Sequence, residues 1–357
     1  MGLEKQQSKL ILEDGSVFYG YMFGAKKPVS GEVVFSTGMV GYPESLTDPS
    51  YRGQILVLTY PLIGNYGIPD NKIEEKLLKY FESDKVQVQG LVISDYSSDY
   101  SHWNAKKSLS KWLKENNIPG IYNVDTRELT KKLRSKGTML GKIIYDNEKI
   151  SFEDSNQRNL ASEVSIKKPV IYKKGKKRIV LVDCGVKNNI IRAFLKRNYS
   201  VIRVPWNNNF LKEKADGIVI SNGPGDPKKC QETIKNVKIA LSKNIPILGI
   251  CLGSQILALA AGANTYKLKY GHRSQNQPCL ESGTNRCYIT TQNHGYAVDA
   301  NTLPEDWREW FYNNNDETNE GIIHISKPFF GTQFHPEASP GPDDTEFLFD
   351  MFIRSMK

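Results

Sequence analysis

The sequence predicts an α/β protein in two parts: a β-rich mixed α/β first half, and a second half built on a mostly parallel sheet flanked by helices. Three observations carry this. From Ile179 onward, short apolar runs alternate with helical stretches, the pattern of a parallel sheet covered on both faces. Before that point, strand signals crowd together between turns rich in Gly, Pro and Asp. A lysine-rich run, Lys167–Arg178, stands between the two. With 357 residues the chain can bury two cores of ordinary size. The expected layout is a first domain over 1–165, a basic solvated linker over 166–178 and a second domain over 179–357.

In the first half, Leu10–Leu12 and Val17–Tyr19 flank Glu13-Asp14-Gly15-Ser16 and read as a hairpin about an Asp-Gly turn. Further strands are expected at Gly31–Phe35, Gln54–Tyr60 and Leu91–Ser94. The stretch Met39–Tyr51 carries Pro, Gly and Asp and reads as loop. Two helices follow. Ala105–Glu115 sets Leu109, Trp112 and Leu113 on one face, and Thr126–Lys136 starts at an Asp125 cap with Glu128 three residues on and stops at Gly137.

In the second half the expected order is strand Ile179–Val182, a helix through Ile190, Ile191, Phe194 and Leu195, and strands Val201–Val204 and Gly217–Ile220. Helix Lys229–Ser242 follows, then a strand at Ile245–Ile250 and helix Leu252–Ala261. In such sheets reactive groups gather at the carboxyl ends of the strands. Cys251 is at one such end, and Ser221-Asn222-Gly223-Pro224-Gly225-Asp226-Pro227 is at another. That loop is either an ordinary Gly-Pro turn or a place where backbone N–H groups meet a ligand. It is not a phosphate-binding loop of the Gly-Lys-[Ser/Thr] type.

Composition narrows the function classes. No apolar run is long enough to cross a bilayer. Met1–Gln7 lacks the apolar core of a secretory signal, and Gln6 stands where a myristoylation signal has Ser or Thr. The five cysteines form neither a C-x-x-C pair nor an even framework, so no disulfide scaffold and no zinc site are expected, and a cytoplasmic, reducing setting is. The formal charge of +9 is concentrated largely in Lys167–Arg178 without any nucleic-acid motif, so neither nucleic acid nor membrane is expected as a partner.

Cys251 sits where strand turns to helix, between Gly249 and Gly253. A tight turn of this kind lifts one side chain clear of the sheet, as the nucleophile elbow does for serine. The following helix presents unpaired N–H groups and the positive end of its dipole, which favour a thiolate. The N–H of Leu252 points toward any oxyanion formed by attack of the sulfur. A base is needed, and only five histidines exist. His335 ends the apolar run Phe329–Phe334, and Glu337 lies two residues on, so in extended backbone both side chains point the same way. The acid then orients and stabilises the imidazole. His294, in Gln292-Asn293-His294-Gly295-Tyr296, is the rival base, or lines a ligand loop. His102, His272 and His324 have no acid at useful spacing.

Together, Gly249-Ile250-Cys251-Leu252-Gly253, the Ser221–Pro227 loop and His335-Pro336-Glu337 resemble the class I (triad) glutamine amidotransferases. Gly41-Tyr42-Pro43-Glu44, Leu46–Tyr51, Asp125-Thr126-Arg127, Gln292–Asp299 and His335–Pro342 narrow the resemblance to the small, glutaminase chain of carbamoyl-phosphate synthetase, above all its eukaryotic forms. The resemblance implies Cys251 as nucleophile, His335 as proton carrier and Glu337 as its orienting acid. It implies an oxyanion hole from the N–H groups of Leu252 and Gly223. Ser50, Gly225, Gln255, Asn293, Gly295 and Tyr296 line a glutamine pocket by the family pattern, with Ser50 brought from the first half.

By the same resemblance, L-glutamine is hydrolysed through a thioester, and the ammonia passes to a large synthetase chain. That partner, not this chain, would hold ATP and Mg; no cofactor and no metal are expected here. Ser254 departs from the family, which usually has His before Gln255. The departure keeps alive a second reading, a weakly active or inactive regulatory subunit of an ammonia-using synthetase. An amidotransferase for another acceptor is disfavoured by the first half.

Overall fold

The Asp-Gly hairpin opens the fold. In the computed structural model, which describes residues 6–146 and 148–356, β1 (Gln7–Leu12) pairs antiparallel with β2 (Val17–Gly24). Gly15 at the turn takes a φ of +86°, where a side chain would be strained. The reading of the N-terminus falls largely on Met1–Lys5, outside the described residues.

The chain divides into two units, Met1–Gln157 and Arg158–Lys357. In the first, β3 (Val29–Ser36), α1 (Tyr42–Thr47), β4 (Gln54–Leu58), the short strands β5 (Ile68–Pro69), β6 (Ile73–Glu74) and β7 (Leu77–Leu78), β8 (Gly90–Ile93) and β9 (Ala105–Lys107) follow in order. Then come α2 (Leu109–Glu115), β10 (Pro119–Tyr122), α3 (Thr126–Lys136) and β11 (Met139–Tyr145). Seven strands close a barrel in the order β1-β11-β3-β4-β8-β10-β2. Alternation along β4 shows how the barrel is covered. Ile55 and Val57 join the cluster that holds Leu129 and Leu133 of α3, while Leu56 and Leu58 join the one that holds Leu109, Trp112 and Leu113 of α2.

Two expectations in this unit change. Met39–Tyr51 is not all loop: α1 forms within it, followed by a 3₁₀ turn at Pro49–Tyr51. Pro43 lies in the first turn of α1, where its missing N–H costs no helical bond, and six residues are too few to show a helical period. The helix expected from Ala105 begins instead at Leu109. Ser108 caps it by accepting from the Lys111 N–H at 3.3 Å, and Ala105–Lys107 pairs with β5.

In the second unit the elements are α4 (Leu160–Val164), β12 (Val170–Tyr172), β13 (Arg178–Asp183), α5 (Asn188–Lys196), β14 (Ser200–Pro205) and β15 (Gly217–Ile220). They continue with α6 (Gln231–Ser242), β16 (Ile247–Ile250), α7 (Leu252–Ala261), β17 (Asn264–Glu281), β18 (Cys287–Asp299), β19 (Trp307–Asn313), β20 (Asn319–His324), β21 (Phe329–Thr332) and α8 (Phe347–Ser355). One sheet runs β12-β14-β13-β15-β16-β21-β20-β19-β17-β18. Its strands β14, β13, β15, β16 and β21 are parallel, as the alternating pattern requires. Beyond β21 the sheet continues antiparallel through β20, β19, β17 and β18, an extension the sequence pattern did not disclose. The basic run is also more than a solvated linker, because Val170–Tyr172 pairs along β14 at the sheet's edge.

Candidate active site

The strand order explains how residues far apart in sequence meet. β16 and β21 are parallel neighbours, with Ile250 opposite Thr332, so both chains leave the sheet at the same end. Cys251 follows the first strand and His335 comes three residues after the second. The Cys251 N–H donates to the Thr332 carbonyl at 2.7 Å, and the His335 N–H donates to Thr291 O of β18 at 2.9 Å. These bonds fix both backbones.

The elbow is strained in the way its sequence demands. Cys251 has φ 52° and ψ −107°, outside the helical and extended wells, at a cost of about 1–3 kcal/mol. Glycines make the turn possible. A Cβ on Gly249 would stand 2.5 Å from the Gly253 carbonyl oxygen, and one on Gly253 would overlap the Ile220 carbonyl. The sulfur is buried and donates toward the Asn293 carbonyl at 3.7 Å, while Gln333 Nε2 donates to it at 3.5 Å.

His335 Nδ1 donates to Glu337 Oε1 at 2.6 Å, with both side chains buried. His335 Nε2 is buried without a hydrogen bond and so stays available to the sulfur. Burial disfavours the imidazolium, but the Glu337 carboxylate and then the Cys251 sulfur outweigh it, and the ring is pushed up to about 10. Glu337 is held at about 2: burial opposes its charge, and Lys187 and His335 overcome that. Lys187 Nζ is 3.1 Å from Glu337 Oε1 and also donates to the Ala338 carbonyl. Its buried charge is a site feature that sequence reasoning missed. No local spacing could reveal it, since its partner comes from beyond β21.

The remaining residues are placed as follows. Leu252 is the first residue of α7, so its N–H has no intrahelical acceptor. Gly223 packs against the Leu252 side chain and the Cys184 carbonyl, in space that admits no Cβ, and its N–H makes no hydrogen bond among the described residues. Its loop is tied to the end of β13: Cys184 N–H donates to Ser221 Oγ, and Lys187 N–H to Asn222 Oδ1, each at 3.0 Å. Gly225, at φ +86°, lies against Leu160 of α4. Gln255 Nε2 donates to Tyr296 O at 2.8 Å and to Gln333 Oε1 at 2.9 Å, so Gln255, Tyr296, Gln333 and Cys251 form one bonded group. Gln333 had no role in the sequence reading. Gly295 lies within β18, beside the Arg273 side chain. Ser50 lies in the first unit, buried in its 3₁₀ turn, with its N–H donating to Asp48 Oδ1 at 2.9 Å. Ser254 is buried against Gly331, and its Oγ has no hydrogen-bond partner.

The other histidines need correcting. His294 is in strand β18, not a loop. Burial first, then the neighbouring His272, holds it well below the usual histidine range, which suits a neutral structural ring better than a base. His272 does have acids, Asp316 at 2.9 Å and Glu320 at 3.3 Å, and His324 has Asp306 at 3.1 Å. Asp316 and Glu320 come from the β19–β20 hairpin and Asp306 from just before β19, partners that sequence spacing cannot reveal. Donor atoms of His272, His294 and Glu320 lie within 4.8 Å of one another, a geometry open to a metal. Each ring nitrogen also has a hydrogen-bond partner.

A cysteine on a strained strand-to-helix turn and a carboxylate-bound imidazole stand together at the carboxyl end of a parallel sheet, in a domain of the class-I glutamine amidotransferase type. The family of glutamine amidotransferases class-I matches residues 180–355, and the carbamoyl-phosphate synthase small chain, CPSase domain, matches residues 10–143. The chain therefore carries a carbamoyl-phosphate synthase small-chain domain followed by a class-I glutamine amidotransferase domain. It is 56% identical over 351 residues to the multifunctional protein CAD of Squalus acanthias, covering 96% of this chain and 16% of that protein. It is 51% identical over 384 residues to the multifunctional protein pyr-3 of Neurospora crassa, covering 97% of this chain and 21% of that one. It is also 51% identical over 362 residues to the mitochondrial carbamoyl-phosphate synthase [ammonia] of Homo sapiens, covering all of this chain and 24% of that protein. The chain thus spans about a quarter or less of these relatives. Among the described residues, no helix is long and apolar enough to cross a membrane.

Proposed function

We propose that this chain is the glutaminase part of a cytoplasmic carbamoyl-phosphate synthase and supplies ammonia to a synthetase partner. The observation that carries the reading is the buried His335–Glu337 pair, 2.6 Å apart, set at the same end of the sheet as the strained Cys251. With the thiol proton held on His335 Nε2, the Cys251 sulfur attacks the side-chain amide carbon of L-glutamine as a thiolate and forms the C–S bond. The oxyanion is met by the N–H groups of Leu252 and Gly223. His335 gives its Nε2 proton to the amide nitrogen, the C–N bond breaks, and ammonia leaves with a thioester behind. The neutral imidazole then takes a proton from water as the water attacks the thioester, the C–S bond breaks, and glutamate leaves with the thiolate–imidazolium pair restored. Gln255, Asn293, Gly295, Tyr296, Gly225 and Ser50 are assigned to glutamine binding by the family pattern.

The chain spans a minor part of relatives named as carbamoyl-phosphate synthase and multifunctional proteins, which supports a large synthetase portion as partner. ATP and Mg belong to that portion in this reading, and this chain uses neither. In the presence of the synthetase portion, Cys251→Ser abolishes glutamine-dependent carbamoyl phosphate formation and leaves ammonia-dependent formation intact. Retention of the glutamine-dependent reaction in that variant contradicts the assignment. Ser254 favours a second reading, a regulatory subunit without turnover; glutamine hydrolysis by the unsubstituted chain excludes it.

A further inference from the structure

β17 and β18 set His272 opposite His294, and the two rings meet edge to face with centroids 4.9 Å apart. His272 is buried, with Nε2 2.9 Å from Asp316 Oδ2 and Nδ1 3.3 Å from Glu320 Oε1. With a carboxylate on each nitrogen the ring is a cation, pushed up to about 9: burial opposes the charge, and Asp316 and Glu320 overcome it. His294 Nδ1 is 2.8 Å from the Tyr296 carbonyl oxygen. That oxygen can only accept, so Nδ1 carries the proton. On its other side the ring meets the Gln292 side chain, with Nε2 3.0 Å from Oε1.

The Tyr296 carbonyl is also the acceptor for Gln255 Nε2 at 2.8 Å. Across from it the ladder is broken: the register shifts between Lys267 and His272 while β18 advances only from Tyr296 to His294. Gly295 therefore has no regular cross-strand support, and the His294–Tyr296 bond spans that gap.

We propose that His272 is a positioning residue for glutamine binding: its ion pairs with Asp316 and Glu320 fix the orientation and proton position of His294, which pins the Asn293–Tyr296 segment against Gln255. The inference rests on the glutaminase reading and deepens it. The charged and titratable groups facing the pair are Asp316 and Glu320 from the β19–β20 side, Arg273 on β17 and His335 beyond β18.

The test uses the full chain with His272→Gln and, separately, Glu320→Gln, which keeps the imidazole and removes one of its anions. Two-bond proton–nitrogen NMR spectra of the histidine rings read the proton position without turnover. In the unsubstituted chain at neutral pH, His294 shows the Nδ1-protonated neutral form and His272 the doubly protonated form. Either variant changes the His294 pattern, and glutamine KM rises about tenfold while kcat stays within about twofold. An unchanged His294 pattern, or a fall in kcat with KM unaltered, overturns the proposal. Lack of glutamine hydrolysis by the unsubstituted chain counts instead against the glutaminase reading, and the spectra still decide the role of His272.

Discussion

Lys187 and His335 share one oxygen of Glu337: Nζ stands 3.1 Å and Nδ1 2.6 Å from Oε1, and all three side chains are buried. Two cations on one carboxylate leave an excess of positive charge beside the sulfur, a setting that favours negative charge there during attack. Glu337 is thus the hinge of the site's electrostatics and, in the proposed mechanism, the orienting acid.

Replacing Glu337 with Gln keeps the shape and removes the charge. The imidazolium loses its first attraction, and glutamine hydrolysis falls by about a hundredfold or more. The rate against pH reads a second effect, a lower pKa for His335 in the variant. An unchanged profile would show that the carboxylate does not govern the ring.

Lys187→Met breaks a buried pair from the other side. The methionine fills similar volume, but the site loses a cation that opposed protonation of His335, and Glu337 loses its strongest attraction. The expected loss of stability is about 3 kcal/mol, read by denaturant unfolding.

The pH dependence of stability follows from the same groups. His335, raised to about 10 from its usual 6.5, and His272, raised to about 9, favour the folded state fully below pH 6.5. That contribution fades as pH climbs through 9 and 10. Glu337, lowered to about 2 from 4.5, contributes above pH 4.5, and its share is lost as pH falls through 2. The His335 and Glu337 shifts describe one ion pair seen from both ends and are not summed. The melting temperature therefore declines by several degrees between pH 6.5 and 10, and His272→Gln flattens part of that decline.

Ser254→Ala removes a hydroxyl that is buried without a partner. The side chain packs on Gly331 in β21, away from the triad's bonds, so the change leaves kcat for glutamine unaltered and raises stability by about 1 kcal/mol. A large loss of activity in this variant would give Ser254 a chemical role that its contacts do not support.

What could be read from the sequence was local. Gly249, Cys251 and Gly253 announce the elbow because the crowding they relieve lies within one turn, and His335-x-Glu337 is visible because its geometry needs only two residues. Asp125 and Gly137 mark the ends of α3 for the same reason. Lys187, Gln333 and the acids on His272 and His324 stayed hidden because sheet order, not spacing, delivers their partners. β17 also eluded the reading: its sequence is too polar to alternate cleanly, and the register breaks twice along it. The six-residue helix α1 is too short for its periodicity to compete with the Gly and Pro signals around it.

The most direct measurement is acid-quench mass spectrometry of the chain during turnover with glutamine. A glutamyl adduct confined to the peptide containing Cys251, lost in Cys251→Ser and accumulating when water attack is slowed, is the predicted result. Glutamine hydrolysis at full rate with no adduct on that peptide, or with Cys251→Ser still active, would contradict the thioester chemistry.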